Sequence, residues 1–184
     1  MTPLPDIRRL RAYLKRGGVI AYPTESCFGL GCDPGNRRAV RRILRLKGRP
    51  QSKGLILIGS DMHQFKRYLT PIPSDLGVRL SEWWPGPNTL LLTASKHCPR
   101  WLTGRHATLA VRISAHPLCN RLCHALDMAL VSTSANRSSL RSIKDAKTCA
   151  NKFGNHVLTL PGRIGQHKRP SRIIEPQSGA TFRS

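Results

Sequence analysis

Acidic residues are scarce in this chain: nine Asp and Glu stand against 31 Lys and Arg, a net charge of +22 over 184 residues. That imbalance favours polyanionic partners such as RNA, nucleotides or phosphates, although a generally basic proteome would give the same composition. Aromatics are also few, ten Phe, Trp and Tyr in all, and they do not cluster on strand-like segments. The stacking platforms of sequence-reading RNA modules are therefore missing. No apolar stretch approaches membrane-spanning length, and Met1–Asp6, with two prolines, does not read as a signal peptide. A soluble, cytoplasmic protein with no membrane partner is expected. Six cysteines are present but no CxxC pair, so zinc is poorly supported and no metal site is assigned. Cys119 and Cys123 lie on or beside the apolar face of Leu118, Leu122 and Leu126 and read as core thiols in a reducing compartment. There is no G-x-x-x-x-G-K-[ST] loop, no dinucleotide fingerprint around Gly29, Gly31 and Gly35, no G-x-S-x-G elbow and no H-E-x-x-H.

What is present is enough chain for one domain, residues 1–184, with recurrent apolar runs to build a core. Helical periodicity predicts helices over 6–16, stopped by Gly17-Gly18, and over 37–47, 61–69, 74–84 and 117–127. Short apolar runs predict strands at 19–22, 55–58, 89–93, 108–113, 157–160 and 172–174, with Leu130-Val131 leading into Ser132-Thr133-Ser134-Ala135-Asn136. Ser142 with Asp145 resembles a capping box. Strands and helices interleave without strict alternation, which predicts an α/β fold with a mixed sheet covered by helices. The basic loop from Gly162 to Pro170 is expected to be mobile.

Two polar clusters carry chemistry. In helix 37–47, Arg38, Arg41, Arg42 and Arg45 share one face, while Val40, Ile43 and Leu44 share another whose next position is Lys47. Lys47 thus leaves the core-facing side at the helix end, either to meet the helix dipole or, as Arg49 and Lys53 favour, to face a cleft. Eight basic residues from Arg37 to Lys53 have no acid among them. They cannot be paired locally; the outer arginines read equally as a solvated face or an RNA contact. Ser132, Ser134 and Asn136 can share one side of an extended segment. They would line a site for phosphate, ribose or an amino-acid head group, or simply end a strand in a turn. Thr24 sits at a strand end, where α/β sheets bind ligands. Glu25 reads best as an ion pair with an arginine. Arg112, inside an apolar strand, requires a partner: a ligand carboxylate or a structural acid.

In order along the chain, Ala21-Tyr22-Pro23-Thr24-Glu25, Phe28–Pro34, Leu46–Pro50 with Lys53-Gly54-Leu55, and Trp84–Pro87 with Thr89 resemble the YrdC-like family, the threonylcarbamoyl-AMP synthases. Arg100–Arg105, Leu109–Arg112, His116-Pro117-Leu118, Ser132–Asn136 and Pro170-Ser171 continue the resemblance. The length resembles the short bacterial form. The resemblance implies a single α/β domain whose curved mixed sheet, flanked by helices, carries a basic concave face. It implies synthesis of threonylcarbamoyl-AMP and pyrophosphate from L-threonine, bicarbonate and ATP, for N6-threonylcarbamoyladenosine at position 37 of tRNA. Transfer proteins would be partners, tRNA a possible one, and Mg2+ would be held mainly through the ATP phosphates. By the same resemblance Lys47 and Arg49 are catalytic. Arg49, Lys53, Thr108, Ser134 and Asn136 bind ATP, and Thr24, Arg112, Ser132 and Ser171 bind threonine. Ser138-Ser139, Gly165-Gln166 and Glu175 depart from the family pattern. The competing expectation is a non-catalytic RNA-binding module.

Overall fold

In the computed structural model residues 2–138 and 140–183 are described, Arg183 by its backbone alone; Ser139, one of the departures noted above, lies outside them. The helices are α1 (Ile7–Lys15), α2 (Arg37–Lys47), α3 (Ser74–Leu80), α4 (Arg100–Thr103), α5 (Pro117–Leu126) and α6 (Ala146–Phe153). The strands are β1 (Ile20–Pro23), β2 (Phe28–Cys32), β3 (Ile56–Gly59), β4 (Asn88–Thr93), β5 (Thr108–Ile113), β6 (Leu130–Ser134), β7 (Leu158–Thr159), β8 (Arg172–Ile174) and β9 (Thr181–Arg183). They form one mixed sheet in the order β7-β1-β2-β6-β3-β5-β4-β8-β9. β3 and β5 run parallel, as do β4 and β8 and β1 and β7, and the other pairs are antiparallel.

Strand alternation divides the core. Ala21, Leu30, Val131, Leu57, Val111 and Leu90 face one side, where α2, α3, α4 and α6 add Val40, Ile43, Leu76, Leu102 and Phe153. Ile20, Tyr22, Ile58 and Leu130 face the other, covered by Leu10 and Leu14 of α1 and Leu122 and Leu126 of α5. Each fully buried Leu or Phe contributes about 1.5–3 kcal/mol. α1 and α5 are also joined by Arg11, whose Nη2 donates to the Leu126 carbonyl at 2.6 Å, a cation at a helix C-terminus. The two helices cover one part of that second face; the remainder is the floor of a cleft.

Several elements depart from expectation. Residues 61–69 hold a 3-10 turn at Met62–Phe65, because Asp61 caps it and Lys66–Tyr68 continue as turns. Helix 74–84 ends at Leu80, the remainder turning through Trp83, Trp84 and a cis Trp84–Pro85 bond. The strand at 157–160 narrows to Leu158–Thr159. β2, β9 and α4 carried no pattern of their own: β2 is FGLGC, and pairing on both edges, to β1 and β6, makes it a strand. Asp145 caps α6 by accepting from the Thr148 amide at 2.8 Å, so Ser142 is not the cap. The Gly162–Pro170 loop is tethered: Gly165 N donates to Thr24 O (2.9 Å), His167 N to Glu25 O (3.1 Å), and His116 Nε2 meets Arg163 O (3.0 Å).

Candidate active site

The open part of the sheet face is a cleft of about 1340 Å³. Among the described residues, seven Lys and Arg and two Glu line it. All ten residues singled out from the sequence lie on its wall: Thr24, Lys47, Arg49, Lys53, Thr108, Arg112, Ser132, Ser134, Asn136 and Ser171. Each strand residue among them sits in the phase that alternates away from the α2-side core. Ser132 pairs with Ile56 of β3, Ile56 with Ala110 of β5, and Arg112 with Ile58.

Lys47 emerges from the apolar stripe of α2, as the helix period required, and is buried. Its Nζ donates to the carbonyls of Ser134 (2.6 Å) and Asn136 (2.8 Å), and the Ser138 amide returns a bond to the Lys47 carbonyl (2.9 Å). α2 and the turn after β6 are thereby locked. Burial, and then repulsion from Arg49, pull the Lys47 pKa down to about 8. Arg49 follows the left-handed Gly48 (φ 58°) and folds back, Nη2 donating to Gly54 O at 3.0 Å and Lys53 O at 3.3 Å. Asn136 spends its carboxamide on the Leu140 carbonyl (2.5 Å) and the Arg137 carbonyl (3.0 Å), which shapes the turn rather than reaching out. Thr24 Oγ1 likewise donates to Cys27 O at 2.7 Å, so toward a ligand it has lone pairs to give.

Arg112, left with two readings above, and Glu25, expected to pair with an arginine, are partners of one another. Arg112 Nη2 lies 2.5 Å from Glu25 Oε1. That oxygen also accepts from Ser114 Oγ (2.9 Å) and the Ala115 amide (3.0 Å), while Arg112 Nε donates to Gly86 O at 3.0 Å. Burial pushes the Glu25 carboxyl up, but the Arg112 charge and these hydrogen bonds outweigh it and hold the pKa below its usual range. Glu25 Oε2 is buried with no hydrogen-bond partner among the described residues. The pair is geometrically telling. Glu25 follows β1 and Arg112 lies on β5, with β2, β6 and β3 between them. Four strand spacings of about 4.8 Å put them about 19 Å apart on a flat sheet. The two side chains cannot bridge that, so the sheet curls and the segment after β1 bends over it. The expected curved sheet is what this contact requires, and the cations lining the cleft make its concave face basic.

Sequence reasoning missed several wall residues. Thr89, fully buried, shares a 2.8 Å hydrogen bond with Ser171. Ser114 anchors Glu25, and Arg141, Lys144 and Lys168 add charge. Thr89 stood inside a motif already quoted; the loop cations had no local pattern to mark them. Among the described residues no three His, Cys, Asp or Glu gather to hold a metal, and of the two cleft carboxylates Glu25 is engaged by Arg112. The side chains therefore do not fit a resident divalent cation. Among the described residues no helix is long and apolar enough to cross a membrane.

A curled mixed sheet with cations, hydroxyls and one buried ion pair on its open face defines a protein that can hold a nucleotide polyphosphate beside a small polar molecule. The chain belongs to the Sua5/YciO/YrdC family, whose model, described as telomere recombination, matches residues 12–183. It is 51% identical over 176 residues to a threonylcarbamoyl-AMP synthase of Methylobacillus flagellatus, covering 96% of this chain and 98% of that protein. It is 48% identical to a threonylcarbamoyl-AMP synthase of Chromobacterium violaceum, covering 98% and 97%. Among solved structures, Sua5 of P. abyssi complexed with L-threonine superposes with a TM-score of 0.81 at 31% identity, over 92% of this chain and 50% of that one. E. coli YciO, at 24% identity and a TM-score of 0.83, shares the fold over 100% of this chain and 92% of its own.

Proposed function

We infer that the chain, acting as one domain, is an L-threonylcarbamoyladenylate synthase. Relatives 48–51% identical over nearly their whole length carry that name, and the observation that carries the reading to the residues is the gathering of all ten expected side chains on one cleft. The same relatives set aside a purely RNA-binding module. The threonine amine attacks the carbon of bicarbonate, and water leaves to give a carbamate. A carbamate oxygen then attacks the α-phosphorus of ATP, the bond to the β-phosphate oxygen breaks, and pyrophosphate departs.

Negative charge grows on the phosphate oxygens, so fixed cations lower the barrier. Lys47 and Arg49 are assigned that role, with Lys53 beside them. A lysine has three donors, and the Ser134 and Asn136 carbonyls take two of those of Lys47. It therefore offers mainly its charge, held in place by the turn it organises. Thr108 and Ser134 belong to the nucleotide, beside which Asn136 acts by shaping the turn rather than by its own carboxamide, and Thr24, Arg112, Ser132 and Ser171 belong to threonine. Because Arg112 is already compensated by Glu25, it offers a threonine carboxylate its remaining donors rather than a bare charge. Magnesium accompanying ATP is held by the nucleotide's phosphates. The product serves threonylcarbamoyl-transfer proteins acting on tRNA, in the cytoplasm, where six unpaired cysteines are stable.

The test is pyrophosphate release with mass spectrometry of the adenylate. Release is expected to require both threonine and bicarbonate, and K47A and R49A should lose at least about 100-fold in kcat/KM while staying folded. Folded wild-type protein that releases no pyrophosphate with any amino acid overturns the reading.

A further inference from the structure

Tyr22 is fully buried in the core beneath α1 and α5, yet its hydroxyl is not packed among apolar atoms: it donates to Ser132 Oγ at 2.8 Å. The two residues stand on β1 and β6, with β2 between them. An ordinary side chain on β2 would fill that gap. At Gly31 an added Cβ would lie 2.7 Å from the Tyr22 ring and 2.9 Å from the Val131 carbonyl, closer than real Cβ atoms approach. At Gly29 it would make ordinary contact, 3.4 Å from Tyr22 and 3.5 Å from Ser132 Oγ. The strict requirement therefore falls on Gly31, which leaves room across β2 for the ring.

We propose that Tyr22 is a positioning residue that commits Ser132 to donate its hydroxyl hydrogen into the cleft. A phenol is more acidic than an aliphatic alcohol, so in this pair the phenol donates and the serine oxygen accepts. Burial raises the Tyr22 pKa well above its usual value, which keeps the proton in place at every working pH. With one lone pair of Ser132 occupied from behind, its hydrogen turns to the open side, where Ser132 lines the cleft. The substrate atom that meets this hydrogen is then an acceptor oxygen, a hydroxyl or carboxylate, while the second lone pair of Ser132 stays free. An acceptor also suits the cross-strand neighbour Ile56, which offers no competing polar group.

The inference rests on the assignment of Ser132 to threonine, and the experiment separates the two. L-Threonine and ATP binding are measured by calorimetry for wild type, Y22F, S132A and Y22F/S132A, with thermal melts to confirm folding. Y22F is expected to weaken threonine binding about fivefold, the worth of one ordinary hydrogen bond, and to leave ATP affinity unchanged. The double variant should bind threonine no more weakly than S132A alone, because the two act as a unit. Replacing Tyr22 with 4-aminophenylalanine, which keeps a para donor, should restore wild-type affinity and stands as the test should Y22F fail to fold. Wild-type threonine affinity in Y22F, additive losses in the double variant, or a loss with 4-aminophenylalanine each overturn the proposal. A wild-type protein that binds no threonine overturns the assignment of Ser132 and this proposal together.

Discussion

Burial and the neighbouring Arg49 bring the Lys47 pKa down to about 8, so at that pH half of the molecules lack the charge assigned to the α-phosphate. A triphosphate placed beside Lys47 favours its protonated form. ATP binding is therefore expected to take up about half a proton per site at pH 8, close to one at pH 9 and almost none below pH 7. Calorimetry in two buffers of different ionisation enthalpy reads this directly, and heats that do not depend on the buffer would remove Lys47 from contact with the phosphates. The inward aim of this residue was legible in the sequence, because a helix has a fixed period and Lys47 falls on the Val40–Leu44 stripe. Its hydrogen bonds were not: the carbonyls of Ser134 and Asn136 lie 87 and 89 residues away. Tyr22 was illegible for the opposite reason. A tyrosine in an apolar strand looks like core, and nothing local points to a serine 110 residues on.

At the level of elements, the turn that bears Arg49 and Lys53 owes its shape to a segment distant in sequence. Leu55 N donates to Leu102 O (2.8 Å) and Arg105 N to Ser52 O (3.2 Å), so α4 and its exit grip the turn from outside. The grip needs two glycines back to back, Gly54 at φ 63° and Gly104 at φ 65°. A Cβ at Gly104 would overlap the Ser52 carbonyl and stand 2.7 Å from the Gly54 nitrogen, backbone against backbone with no side chain to yield. G104A is expected to cost about 1–3 kcal/mol in a urea melt and to raise the KM for ATP more than that for threonine. Equal effects on both constants would show that α4 does not set the cationic turn. The helices with a clean apolar stripe, α1, α2 and α5, were readable almost to the residue. β2 and the four-residue α4 were not, since glycines erase the alternation in one and the other is too short to show a period.

For the whole molecule, a charge of +22 makes long-range attraction part of nucleotide capture. Raising salt from about 0.1 to about 1 M shortens the screening length from about 10 to about 3 Å. The KM for ATP should then rise about tenfold, and that for zwitterionic threonine less than about twofold, in steady-state assays at the two salts; parallel changes would assign the charge to another task. The mixed α/β architecture could be read from the interleaving of apolar runs, but the strand order could not, because pairs such as β4 with β8 depend on contacts the pattern does not contain. That pairing also sets a clock. Thr24 leaves the ribosome long before Ser171, and Ser171 takes its place against Thr89 where β8 pairs with β4. Long-range parallel pairing is slow. During synthesis β2 and β3 cannot join one sheet until β6 is made between them, and the cleft still lacks the wall that carries Ser171 until β8 follows, so the site is assembled late although Thr24 is made early.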